Sequence, residues 1–378
     1  MFVLVLCIPI GNCGVDLMAD PVPQLIRALT DDDTDIGRDA ADKLFELGAK
    51  AKAAIPALVE ALKLSDRRRQ VIAVLRAIGP DAKEAIPALA AILKDGQEDF
   101  LGRTELGGAL IKIAGRDAIP LLEEALRSKI VVSRRAAACT LGEIPSEAKT
   151  VVPILITALK DKEEKVRDSA TSSLKNMGAF GVARLSTALT DKDPYLRVHA
   201  AYALVEIDAQ KHGAAVVMAI VGDLKNTDTT VRQQAARVLS YAGPQAKPAA
   251  SALQKALTDK DYKVRGSAAW ALGNIGSAGE AAIPDLITAL NDSEGQVQMW
   301  AMRSLGTFGS AAKKAVPKII EGLSHPEAIY RQFAAEALGD IGPEAKEAIS
   351  ALEKLAKKDK YEEVQEAAVE AVKKIKGK

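Results

Sequence analysis

The sequence predicts an all-α solenoid of about eleven short two-helix repeats. Three observations carry that reading: a proline column at a near-constant interval, a helical apolar stripe that recurs with it, and a composition rich in Ala and Leu. A chain of 378 residues would ordinarily divide into two or three globular domains. A repeat array escapes that expectation, because each unit packs only on its neighbours. Hydrophobic residues make up 48% of the chain and aromatics only 4%, which suits closely packed helices better than sheets.

The first helix of each repeat is marked by segments such as AIPALVEAL, AIPLLEEAL and AIPDLITAL. Aligned on them, the column reads Pro23, Pro56, Pro87, Pro120, Pro153, Ala183, Met218, Ser251, Pro284, Pro317 and Ser350, with spacings between 30 and 35 residues. Proline fits the first turn of a helix, where its missing N–H is not needed and its φ is already set. The second helix shows most fully in VRGSAAWALGNIG, where apolar residues stand three, four, seven and ten positions after the Arg and make one stripe at helical period. Gly48, Gly79, Gly178, Gly243, Gly276, Gly309 and Gly342 follow that helix, where a left-handed cap favours a residue without Cβ.

A third column joins the two helices. Asp161 and Arg167, Asp191 and Arg197, and Asp259 and Arg265 stand six residues apart, as do Asn226 and Arg232. The Asp belongs to the turn and the Arg opens the second helix, so the pair can bridge within a repeat and to the next. This D-x5-R-x2-A-A-x-A-L-G pattern resembles the HEAT family, in particular the short HEAT-like repeats of phycobilisome lyases, over residues 20–378. The resemblance implies a right-handed, armadillo-like superhelix in which Asp and Arg form a structural ladder. Gly37, Gln298 and Gln365 replace the Arg in the first, ninth and eleventh repeats, so the ladder is expected to weaken there. The closing EEVQEAAVEAVKKIKGK is charged enough to cap the array.

Chemistry leaves little trace. His199, His212 and His325 form no metal-binding spacing, and Cys7, Cys13 and Cys139 form no CxxC pair. There is no phosphate loop, dinucleotide turn or nucleophile elbow. No catalytic residue, metal or cofactor is expected. The 51 basic and 50 acidic residues leave a net charge of +1, which argues against nucleic acid as partner. Arg67, Arg68, Arg69, Arg134 and Arg135 form a basic cluster at the starts of second helices; Arg68 and Arg134 are ladder positions, and the rest read as a solvated surface.

In HEAT solenoids the second helices line the concave side, so their outward positions, one, five and nine after the Arg with two on the flank, form a continuous strip. At position five the repeats read Ala73, Gly108, Cys139, Ser172, Tyr202, Arg237, Trp270, Arg303 and Glu336. His199, Trp300 and Phe333 stand at position two and Met299 at position one. Small residues thus give way to aromatics and arginines, the types that dominate binding hot spots. The strip on repeats six to ten is the candidate groove for a partner protein or peptide, with gap-filling between helices as the alternative for Trp300 and Phe333.

The expected function is a non-catalytic interaction scaffold. Two alternatives follow from resemblance: a bilin lyase-like enzyme that attaches or removes a chromophore, and a HEAT-like nucleic-acid-binding protein. Residues 1–19 carry an apolar run, Phe2 to Ile10, that is too short to span a bilayer and resembles an export signal. Translation from Met18 is the alternative and leaves a cytoplasmic chain.

Overall fold

The computed structural model describes residues 21–95 and 100–377. The proposed leader, residues 1–19, lies outside them. The described residues are all-α, and none of their helices is long and apolar enough to cross a membrane. The chain divides into two compact bodies, one ending at Thr140 and the other beginning at Leu141. Each is a solenoid segment of two-helix repeats.

In the first body short helices, Val22–Leu29, Ile55–Ala61, Ile86–Asp95 and Ala118–Leu126, alternate with second helices at Thr34–Leu47, Arg68–Ile78 and Phe100–Ala114. In the second body the second helices are Glu164–Asn176, the first half of Pro194–Ile220, Thr229–Ala242, Tyr262–Asn274, Gly295–Thr307, Ala328–Ile341 and Glu362–Ile375. Pro194–Ile220 breaks at Asp208, whose backbone is extended, and so contains the second helix of repeat six and the first helix of repeat seven. Within each body successive second helices pack on one another.

Most repeats are joined not by open loops but by 3₁₀ segments such as Gly243–Ala249, Gly276–Ala282 and Gly309–Ala315. The opening glycine of each has positive φ, 54°, 77° and 55°, a conformation that penalises a side chain. Three residues per turn then brings the third and sixth following residues to the inner side. These are small and buried, as in Ala246 and Ala249 or Ala312 and Ala315.

Close approach of the second helices depends on a different glycine, eight positions after the Arg. A Cβ on Gly273 would lie 2.9 Å from the Cα of Ser304, and one on Gly339 would lie 2.8 Å from the Cα of Ala371. The obstacle is backbone, so the helices themselves would have to separate. The intervening Ala268, Ala269, Leu272, Ala301 and Leu305 are fully buried between them.

The Arg–Asp column works across repeats. Arg265 Nε and Nη2 donate to the two carboxylate oxygens of Asp292 in the next repeat at 2.6 and 2.7 Å, while Nη1 donates to the carbonyl of Asp259 in its own turn at 2.9 Å. Arg232 does the same with Asp259 and the Asn226 carbonyl, and Arg331 with Asp359 and the His325 carbonyl. Each Asp also closes its own turn, as when Asp259 Oδ1 accepts from the Asp261 N–H at 2.9 Å. Asn226 retains this turn role but offers no carboxylate, and Arg197 pairs with the buried Asp223 instead. Arg197 still donates to the Asp191 carbonyl, and Arg167 to that of Asp161, each at 2.7 Å.

The substituted repeats behave differently from one another. Gln298 and Gln365 keep the bond to their own turn carbonyls, Asp292 and Asp359, at 2.6 Å each. At Gly37 the position is filled from the next repeat: Arg67 donates to the carbonyls of Leu29 and Asp31 at 3.0 and 2.8 Å. A Cβ on Gly37 would meet the Arg67 guanidinium at 1.9 Å. Arg67 is therefore buried, at 3% exposure, and its place in a solvated basic surface is corrected: the missing ladder arginine left a slot that it occupies.

Replacing Arg265 with Ala leaves Asp292 with neither its guanidinium nor full solvation. The expected loss is about 3 kcal/mol, read as a lower urea midpoint. Arg265 holds the Asp292 carboxyl below its ordinary value of 3.8, so this stabilisation is present above that pH and is lost as pH falls through the lowered value. Asp292→Asn should flatten the acid limb of a melting-temperature profile below about pH 4.

Candidate aromatic interaction face

Tyr202, Arg237 and Trp270 sit on helices whose starts are fixed by side-chain caps. Asp193 accepts from the Tyr195 N–H, Asp228 from those of Thr230 and Val231, and Asp261 from that of Lys263, each satisfying otherwise orphaned donors of a first turn. Asp228 also accepts the Tyr195 hydroxyl at 2.7 Å, which ties the sixth and seventh repeats together. Orientation of the strip is thus set in repeats six to eight by these caps and by close packing, and in repeats nine and ten, whose helices Gly295–Thr307 and Ala328–Ile341 start without a side-chain cap, by packing.

Four rings form an unbroken row across repeats six to nine. Tyr202 meets Tyr241 edge-on with centroids 5.4 Å apart, Tyr241 meets Trp270 edge-on at 5.4 Å, and Trp270 stacks on Trp300 at 5.3 Å. Cations stand at both ends of the row: the Arg237 guanidinium lies 5.1 Å from the Tyr202 centroid, and that of Arg303 lies 6.0 Å from Trp300. Ring pairs of this geometry each contribute about 0.5–1.5 kcal/mol beyond area burial. Burial chiefly pushes the Tyr202 phenol upward, with the Arg237 hydrogen bond acting in opposition, so the row presents a neutral hydroxyl at neutral pH.

Tyr241 is 37% exposed, but reading position five alone passes over it. It stands nine residues after Arg232, an outward position by the same helical geometry, and that column would have revealed it. Tyr202, Arg237, Trp270, Met299, Trp300 and Phe333 are half-buried, and Arg303 is exposed. Trp300 lies over the notch left by Gly266, whose Cβ would meet the indole at 3.3 Å, so it fills a gap between helices while also continuing the row. Among the described residues no ring contact joins Met299 or Phe333 to the row.

His199 does not belong to an accessible strip. It is 2% exposed; its Nε2 accepts from Arg167 Nε at 3.1 Å, and its Nδ1 lies 3.3 Å from the Thr171 hydroxyl oxygen. The flank position two faces solvent only where the preceding repeat leaves it uncovered. Here Arg167, which does not clamp Asp191, turns its Nε onto the imidazole; Asp191 is engaged by Lys160 instead. Burial, followed by the nearby Arg167 and Arg237 charges, lowers His199 to about 3.

Similarity to known proteins agrees with this architecture. A model of HEAT repeats matches residues 223–306 and 283–373, a HEAT repeat model matches 151–180, and the phycobilisome (PBS) lyase HEAT-like repeat matches 133–161. The chain is built of HEAT repeats. No curated protein matches it in sequence. An engineered protein of known structure is 26% identical with a TM-score of 0.50, over 95% of this chain and 99% of that one. Kap121p bound to the extreme C-terminus of the protein phosphatase Cdc14p is 16% identical with a TM-score of 0.68, over 96% of this chain and 47% of the karyopherin. Kap95p, from a structure concerned with RanGDP, is 14% identical with a TM-score of 0.62, over 94% and 55% respectively. This HEAT-repeat chain spans about half the length of the two karyopherins, and the likeness to them is one of fold.

The His199 value gives a signed expectation. Between its lowered value and the ordinary 6.5, the unfolded chain binds a proton that the folded chain does not. Stability is therefore full above pH 6.5 and declines as pH falls from there toward 3, by about 2 kcal/mol at pH 5. His199→Gln should remove that slope from urea denaturation measured between pH 4 and 7.

Proposed function

We propose that this HEAT-repeat chain is a non-catalytic scaffold that holds a partner protein or peptide on the face of its second helices, with the ring row of repeats six to nine at the centre. The observation that carries this reading is the row itself. Four of the chain's scarce aromatics meet edge-on or stacked on one face, flanked by Arg237 and Arg303. Aromatic rings and arginines together bury large area at low entropic cost, which is how binding hot spots are composed.

Repetition extends such a face without building an enclosed site, and the matching family models describe repeats, not a reaction. Kap121p is known bound to the extreme C-terminus of Cdc14p and to Ste12p; the shared fold supports a scaffold role and leaves the partner's chemistry to this chain's own residues. Arg237 and Arg303 lie against the two end rings of the row, which favours a protein segment over a phosphate backbone requiring a longer basic stripe.

The test is affinity purification with the full chain followed by identification of retained proteins. Simultaneous Arg237→Ala, Trp270→Ala and Arg303→Ala should lower retention of the specific partner about tenfold or more. Arg303→Glu, which changes an exposed residue, should weaken it without shifting the melting temperature. Equal retention by both variants would show that this face is not used.

A further inference from the structure

A second feature lies on the second-helix face of the first body. Repeats two and three carry Ala73 and Gly108 at position five, where repeats six to nine carry Tyr, Arg, Trp and Arg. These small residues accompany a cleft of about 520 Å³. Ile72, Ala73 and Ala77 give it an apolar floor, and Phe45, 52% exposed, stands at one wall. Exposure of so large a ring beside an apolar floor is the pattern of a surface that meets another molecule.

The rim is charged and unbalanced. Arg69, Arg76 and Lys112 line the cleft against a single carboxylate, Glu105, and that carboxylate is taken by Arg69 at 3.2 Å. Arg76 and Lys112 are exposed and make no ion pair among the described residues. An occupant must therefore combine an apolar group for the floor with negative charge for two free cations.

We infer that this cleft docks an acidic amphipathic peptide segment of a partner protein, whose apolar side chains enter beside Phe45 while its carboxylates face Arg76 and Lys112. Apolar side chains on one helical face fit such a groove directly. Nucleic acid fits it less well, since two free cations over an apolar floor offer few phosphate contacts. This inference is independent of the ring row, and its experiment uses different residues.

The probe is a fluorescein-labelled amphipathic peptide with Leu on one helical face and Glu beside it, titrated with the full chain by anisotropy. Saturable binding is expected. Arg76→Glu with Lys112→Glu should weaken it about tenfold or more, and Ala73→Phe, which fills the cleft, should do the same. Both variants should melt as the parent does, because the charged residues are exposed and Ala73 is half-buried. The Arg237, Trp270 and Arg303 triple variant should bind the peptide normally. The inference is overturned by absence of saturable binding, by equal affinity for a peptide with Lys in place of Glu, by undiminished binding to either cleft variant, or by displacement with a single-stranded DNA oligonucleotide.

Discussion

Everything in this molecule rests on the near-contact of consecutive second helices. No single repeat can bury its own apolar stripe; burial is achieved only when the next repeat covers it. The Gly and Ala positions, with Gly273 against Ser304 and Gly339 against Ala371, allow backbones to approach until their stripes become one core. That constraint explains why the composition is rich in Ala and poor in rings: a bulky side chain at the contact would push every later layer outward.

Polar groups then make the stacking specific. An apolar seam between smooth, Ala-rich helices resists sliding weakly, whereas a bidentate guanidinium–carboxylate pair has one geometry. Arg232, Arg265 and Arg331 each hold one edge on a carbonyl of their own turn and present the other to the following repeat. Such pairs add direction as much as energy. Where the arginine is absent the solutions are local: a glutamine that serves only its own turn, or Arg67 reaching back into the first repeat.

The scaffold was legible in the sequence because it repeats. Columns of Pro, Gly, Asp and Arg recur often enough for substitutions to stand out, and helical period alone assigns buried and outward positions. The candidate face was legible only in part, since a face depends on what the adjacent repeat does. His199 occupies a flank position that is half-buried in the ninth and tenth repeats at Trp300 and Phe333, yet Arg167 and Thr171 close over it. Tyr241 was within reach of the same periodicity, but at position nine instead of five. That Arg67 would fill the place beside Gly37 has no signature in its own repeat.

The double duty of the ladder carboxylates has a consequence for how the array stacks. Each arginine is oriented by its own turn, and the acceptor belongs to the repeat that follows in the chain. A repeat therefore presents a guanidinium edge, already held by its own turn, to the repeat that follows. The pair accepts the next turn in one register, so a layer displaced along the seam would lose both bonds at once.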